Sequence, residues 1–364
     1  MLIYVILAII IFSMLLSSIE EWGVVNKYYY EISKKQESDL FSRNYYKIVF
    51  VIFITFFWFI TAFRNETIGN DTMAYISIFN NFCNWSFSSS THVEIGYQFF
   101  CSLVGIFTRD PHVFLIVHAT ICYVAIAVYC LKYSKNLMFS LVIIFVTCFY
   151  DFTNLLRQAF AIILVMYAYQ SIKKKNHLMA FLLIVLASFF HKSALAALVL
   201  LLYKLFNFNF WFVLVFSLIV SILSYFGVFA KLLVLIAPKY AIYLTGEYID
   251  GGIFANTFYL MRALAFYAFA YHYHNGNRKN PMLWLFVCSA LIYGLAFSST
   301  VVTRMGLYFF YPMISELPNI FENDKFKYKN WWKVIISFVL ILFLIFVLKF
   351  RPEWNRMYPY YFWQ

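Results

Sequence analysis

Twelve apolar runs follow one another along this chain of 364 residues, and they decide what it can become. They fall at about residues 2–18, 48–62, 111–131, 137–150, 155–172, 178–190, 194–206, 209–229, 256–274, 282–298, 301–319 and 334–350. A helix needs roughly 17–25 apolar residues to cross a bilayer. None of the runs alternates apolar with polar residues as a barrel strand does. Apolar types reach 64% and charged types only 12%, against about 45–50% and about 25% in soluble domains. A soluble enzyme, a secreted disulfide scaffold, a disordered chain and a nucleic-acid-binding domain are therefore excluded. The expectation is an all-α, polytopic membrane helix bundle of about 12 transmembrane helices. No repeat, Gly/Ser linker or low-complexity tract divides the chain, so 1–364 reads as a single integral membrane domain.

The net charge of +12 acts as a topology signal. With the 20–47 loop placed in the cytoplasm, 17 of the 28 Lys and Arg fall in inner loops and 8 in outer segments. That is the bias of the positive-inside rule. The same count lays 96–108 on or into the outer face, and splits 178–206 into two short crossings with a turn at His191-Lys192-Ser193. Both chain ends then face outward, and the larger outer-face segments are about 63–110 and 230–255. The first 18 residues lack a basic n-region and a cleavage site, and read as an uncleaved first helix. Three N-x-S/T sites between Asn65 and Ser86 read as chance. Cys122, Cys130, Cys148 and Cys288 lie in apolar runs as small core residues, while Cys83 and Cys101 pair only if they face an oxidising compartment.

Three cations remain inside helices: Arg157, Arg262 and Arg304. A charge in the hydrocarbon is costly and needs a reason. All three helices run from outside to inside, so the arginines lie roughly 5–9 Å below the outer boundary at about 1.5 Å per residue. Each helix also turns the positive end of its dipole to that side. Arg64 sits at the outer mouth of another helix. A set of guanidinium forks at one depth suits a diphosphate. A single such arginine serves as well by snorkelling to headgroups or pairing with a carboxylate.

Asp71, Glu94, Asp151 and His191 are expected on the same face. Asp71 either caps the helix that carries Tyr75 or binds substrate. Glu94-Ile95-Gly96-Tyr97 is a helix entry or a binding motif. Asp151 caps the Arg157 helix or pairs with an arginine. His191 at its turn is a hydrogen-bonded structural residue or a general base. Of the abundant aromatics, Tyr45-Tyr46, Trp331-Trp332 and Tyr358–Trp363 read as lipid-facing or interfacial. Tyr75, Phe82, Trp85, Phe87, Tyr97 and Tyr248 are weaker candidates for stacking on sugar rings. No Walker loop, GxSxG, HExxH, EF-hand or dinucleotide fingerprint occurs, and no aspartate-rich metal pattern.

Four ordered motifs carry a resemblance. Arg64…Ile68-Gly69-x-Asp71…Tyr75, Glu94-x-Gly96-Tyr97-x-x-Phe100, Arg157-Gln158-x-x-Ala161 and His191-x-Ser193-Ala194 resemble the EpsG-like group of Wzy-type bacterial polysaccharide (O-antigen or capsule) polymerases. The likeness runs over about residues 60–310 and lies more in the order of the motifs than in any one of them.

The resemblance implies a GT-C-like membrane glycosyltransferase that needs neither metal nor cofactor and inverts the anomeric carbon. It implies a polyprenyl-diphosphate-linked glycan as donor, with the growing chain passed to the next lipid-linked unit on the outer face of the bacterial cytoplasmic membrane. The expected partners are those lipid-linked glycans, membrane lipid and a chain-length regulator. In this reading Arg157, Arg262 and Arg304 serve the departing diphosphate, and His191 is the base or acceptor-orienting group. Arg64, Asp71, Tyr75, Glu94, Tyr97, Asp151 and Ser193 line the substrate site. A flippase for the same lipid-linked unit is the alternative; it would keep its charges near the midplane and show related halves. A membrane O-acetyltransferase would need a nucleophile or acyl-CoA access from inside, where the loops offer mostly solvated lysines.

Overall fold

The computed structural model describes residues 2–19, 35–88, 91–236, 253–274, 279–323 and 328–363. Most of the expected outer segment 230–255, Tyr248 included, lies outside the described residues, as does residues 20–34 of the basic 20–47 loop. In chain order the α-helices are α1 (Leu2–Ser17), α2 (Lys35–Ala62), α3 (Thr72–Phe82), α4 (Ile95–Gly105), α5 (Pro111–Tyr133), α6 (Leu137–Val146), α7 (Cys148–Asn154) and α8 (Leu156–Lys173). They continue with α9 (His177–Ser188), α10 (Phe210–Tyr225), α11 (Val228–Ile236), α12 (Ile253–Tyr273), α13 (Pro281–Leu295), α14 (Thr300–Phe310), α15 (Met313–Phe321) and α16 (Lys329–Phe350). A long 3-10 helix, Lys192–Leu202, lies between α9 and α10. Among the described residues there is no strand, only an isolated antiparallel bridge between Arg64 and Phe362. The chain is all-α, as its composition requires.

The helices start where the sequence supplies a cap. Asp110, Asn136, Asn176, Asn209 and Asn280 each accept a hydrogen bond from a backbone N–H two or three residues on. Pro111 and Pro281 stand at the first helical position, where the missing N–H costs nothing. Each cap is worth about 1 kcal/mol. Among the described residues five helices are long and apolar enough to cross a membrane: Asn44–Ala62, Pro111–Tyr133, Ile253–Tyr273, Pro281–Ser298 and Lys329–Phe350. The bent pair α6–α7 makes a sixth if counted as one span. Its 41° break falls at Thr147, whose hydroxyl bonds the Ile143 carbonyl at 2.6 Å in place of the regular ladder. Other apolar helices, including α1, α4, α9 and α10, are shorter than 18 residues.

The chain forms two compact units. The first comprises Met1–Ile163 and Phe321–Gln364. Its core is α6, buried from Met138 to Phe145, with Phe145 and Phe149 against Phe57 of α2. Trp58 and Thr61 of α2 hydrogen-bond Thr120 and Tyr123 of α5. One end of this unit gathers the start of α1, the end of α2, the start of α5, the α7–α8 junction and the residues after α16. There Tyr4 reaches the Met357 carbonyl, and the His112 ring stacks on Trp363 at 4.7 Å. At the opposite end Glu322 accepts from Lys333 and Asn136.

The second unit, Leu164–Ile320, is built around α13, which is buried from Met282 to Ala290 and packs on α10, α12 and α14. The 178–206 run is two elements packed on each other, and the break falls at the expected turn: α9 ends at Ser188 and His191 is extended (φ −155°, ψ 114°). Ala194, Ala197 and Leu200 form the buried stripe of the 3-10 helix, at the period of three that this helix requires. In this unit Glu316 is fully buried and receives Lys173 at 2.6 Å. All six cysteines are free and buried.

Candidate functional site

In the first unit, Arg157 stands in the opening turn of α8, a quarter exposed. Its Nη1 donates to Glu94 Oε2 at 2.7 Å and to the His92 carbonyl at 3.0 Å. The Tyr75 hydroxyl closely approaches the same guanidinium. Arg157 Nε is buried and has no hydrogen-bond partner. Glu94 occupies the N-cap position of α4 with extended backbone, yet its carboxylate does not cap the helix. The ion pair takes that carboxylate instead, and buries it to 6% exposure.

Beneath the pair lies an aromatic floor. Tyr75 and Tyr97 meet edge-on at 5.8 Å, and Tyr97 continues onto Phe100 and Phe160. Tyr75, Phe82 and Tyr97 are buried, so they pack under the site and do not present faces to a sugar. Trp85 and Phe87 are exposed, at 46% and 43%. Burial pushes the Tyr75 phenol up, opposed by the Arg157 charge. Asp71 takes the N-cap position of α3 without making a capping bond, and its charge is felt by Tyr75. Asp151 lies within α7, so it is not the cap of the Arg157 helix.

Arg64 sits elsewhere than at an open mouth. It is 1% exposed and donates to the Thr61 and Thr153 carbonyls and to Thr72 Oγ1. Burial lowers its pKa to about 10, which leaves it charged at neutral pH. Its work is to tie α2, α3 and α7 together. Gly69 makes this possible: its φ is +89°, and a Cβ there would meet Thr72 Oγ1 at 2.9 Å.

Three features escaped the sequence reading. The Gln98 side chain, 1% exposed, donates to the Ser88 and Val93 carbonyls and to Thr91 Oγ1, and accepts from Ser88 N. It thereby fixes the residues that deliver His92 and Glu94 to Arg157. Asn154 accepts from Asn70 N at 2.6 Å and donates to the Tyr150 and Asn355 carbonyls. The segment after α16 is the third. Its carbonyls at Trp354, Arg356 and Tyr361 receive Asn70 Nδ2, Gly69 N and Asn65 N. Tyr360 donates to Ile60, and Trp363 stacks on His112. Of the aromatics read as lipid-facing, these two are packed on the protein, because the segment folds back over 63–71; Tyr358, Tyr361 and Phe362 stay exposed.

In the second unit, Arg262 is boxed by aromatic rings. Its guanidinium carbon lies 3.6 Å from the Phe310 centroid, 5.0 Å from Tyr259 and 5.5 Å from Tyr293, and Nη2 donates to the Tyr293 hydroxyl at 3.2 Å. Gly306 admits the Tyr293 ring, since a Cβ there would lie 2.5 Å from it. Arg304 is exposed on α14. His191 is half-buried where the 3-10 helix begins, and Ser193 shares a hydrogen bond with Tyr308 at 3.0 Å. The fold thus brings Arg157, Glu94, Tyr75 and Tyr97 together in one unit. Arg262, Arg304, His191 and Ser193 belong to the other. Among the described residues no cluster of three or more His, Cys, Asp or Glu has the geometry of a metal site.

Residues 47–362 match the EpsG family. No curated protein and no solved structure gives a significant match.

Proposed function

The chain belongs to the EpsG family, and from that premise we propose that it is a membrane glycosyltransferase polymerising polyprenyl-diphosphate-linked oligosaccharide repeat units of an O-antigen or capsule. Membership of the family implies a membrane polysaccharide polymerase-like function, and the apolar helices agree with it. The finer reading is ours. The reaction runs on the outer face of the bacterial cytoplasmic membrane, without metal or cofactor. About twelve crossings in a GT-C-like arrangement would include the shorter apolar helices alongside the long ones. A chain-length regulator is the proposed protein partner.

In the proposed reaction an acceptor hydroxyl attacks the anomeric carbon, a new glycosidic bond forms, and the bond to diphosphate breaks. Negative charge grows on the departing group. Preorganised guanidinium groups stabilise that charge more in the transition state than in the ground state. Arg157, Arg262 and Arg304 carry this role, and His191 orients the acceptor. Asp71, Asp151 and Ser193 meet the sugars, with Trp85 and Phe87 offering apolar faces. Arg64, Tyr75 and Tyr97 hold the site's frame. The observation that carries the reading is the family match; the partly exposed Arg157, with a buried donor still unmet, supports it.

The test is replacement of Arg157 or Arg304 by Ala in the native host. Each should leave protein levels normal and only single, unpolymerised repeats on the surface. Wild-type chain length in either variant refutes the assigned role, and complete loss of surface glycan points to the flippase reading.

A further inference from the structure

Arg157 is held by a carboxylate, Arg262 by rings. The box around Arg262 is assembled within the second unit from three helices. α12 supplies Tyr259, one turn ahead of the arginine, α13 supplies Tyr293, and α14 supplies Phe310. Gly306, one turn before Phe310 on α14, leaves the room in which the Tyr293 ring lies. Tyr259 and Tyr293 then meet at 5.5 Å and close the box. A ring face attracts a cation but brings no charge of its own, so the guanidinium keeps its positive charge. Among the described residues it has no ion-pair partner. Its donors are divided. Nη2 gives a hydrogen to the Tyr293 hydroxyl, Nε is buried without a partner, and Nη1 makes no bond among the described residues. Phe310 covers one face of the group, with its centroid 3.6 Å from the guanidinium carbon. An anion therefore arrives at the edge, where the N–H bonds point. Which way that edge faces is set by the one hydrogen bond to Tyr293, at 3.2 Å. Without it the fork can turn over the Phe310 ring and keep most of its attraction, because a ring face does not choose among the N–H groups.

We infer that Tyr293 is the positioning residue of Arg262: its hydroxyl fixes the fork so that Nη1 meets an oxygen of the departing diphosphate. This rests on the proposed glycosyl transfer and on Arg262 serving its leaving group. As the bond between the anomeric carbon and the diphosphate oxygen breaks, the electron pair stays on that oxygen. A donor already aimed at the growing charge needs no rearrangement at that moment. Tyr293 itself touches neither the sugar nor the breaking bond; it acts through Arg262. Phe310 shares the task by holding the guanidinium over its ring.

The experiment uses the full chain in lipid nanodiscs, with defined polyprenyl-diphosphate repeat units for elongation and thermal unfolding followed in parallel. Tyr293→Phe keeps the ring in the box and removes only the hydroxyl. Its kcat should fall about tenfold or more, the factor that one hydrogen bond to a charged group is worth, while KM and the melting temperature stay near wild type. Arg262→Met fills the box without charge and should also lose about tenfold or more in kcat. Adding Tyr293→Phe to Arg262→Met should then slow elongation by less than about twofold more, because the hydroxyl has no fork left to aim. A purely structural tyrosine would instead lower the melting temperature, and its loss would multiply with that of Arg262→Met. Such multiplication, or a Tyr293→Phe kcat within about threefold of wild type, overturns the inference. Phe310→Leu gives a second reading if Tyr293→Phe does not fold: its loss in kcat should likewise vanish on the Arg262→Met background. Wild-type protein that does not elongate the repeats overturns the functional reading itself, an outcome distinct from failure of the positioning alone.

Discussion

Replacing Gln98 by Leu isolates the part of the site that is architecture and not chemistry. The two side chains have similar volume, so the packing of α4 is kept. Three donated hydrogen bonds and one accepted bond disappear, at 2.9 Å, 2.7 Å and 3.3 Å to Ser88 O, Val93 O and Thr91 Oγ1, and 3.0 Å from Ser88 N. The amide has two hydrogens, so the 3.3 Å contact shares one of them; at about 1 kcal/mol for each of the other three bonds the nominal loss is about 3 kcal/mol. Ser88, Thr91 and Val93 are partly or fully exposed, so water recovers part of it. A local cost of about 2 kcal/mol remains, equal to roughly 30-fold in the ordered fraction of these residues. Elongation by purified Gln98→Leu should fall by up to that factor, mainly in kcat, because Glu94 and the His92 carbonyl lose their fixed approach to Arg157. The opening is local, so the melting temperature should move by only a few degrees. Gln98→Glu keeps the acceptor oxygen but turns a buried carboxylate on the Ser88 and Val93 carbonyls, so it should not restore the rate. Elongation within about threefold of wild type, or a fall in rate that merely tracks global unfolding, would show that Gln98 does not position the site.

Two further perturbations test the frame. Gly306→Ala places a methyl 2.5 Å from the Tyr293 ring, which is buried among Leu260, Ala263, Leu264 and Ala290. It should cost about 1–3 kcal/mol by overpacking, measured as a lowered melting temperature in detergent, whereas Tyr293→Phe keeps the ring and should stay nearer wild type in stability while losing the hydrogen bond to Arg262. Deleting residues 351–364 removes the bonds to Asn65, Gly69 and Asn70 and the ring over His112. It should increase proteolysis in 63–71 and reduce elongation while leaving membrane insertion intact; unchanged protection of 63–71 would show that the segment is no clamp.

The helices were legible because their cause is local. Runs of apolar residues, Asn and Asp caps and the prolines after two of them say where helices begin, and the match of α9 and the 3-10 helix to the expected turn follows from the polar His191-Lys192-Ser193 interruption. Composition fixed the solvent as lipid before any contact was known. Charges inside apolar helices likewise named Arg157, Arg262 and Arg304 as residues needing a reason. What those charges touch depends on neighbours distant in sequence. Glu94 and Arg157 are 63 residues apart, yet they form one ion pair. Arg64, equally prominent in sequence, is spent on backbone carbonyls. Lys173 and Lys333, counted as inner-loop charge, hold Glu316 and Glu322. The aromatics after α16 could be assigned to lipid by composition, but only folding back over 63–71 puts Trp363 on His112. Helix formation depends on spacing and solvent, which a sequence carries in itself. The partner of a charge depends on which helices meet, and that is fixed only once the chain has packed.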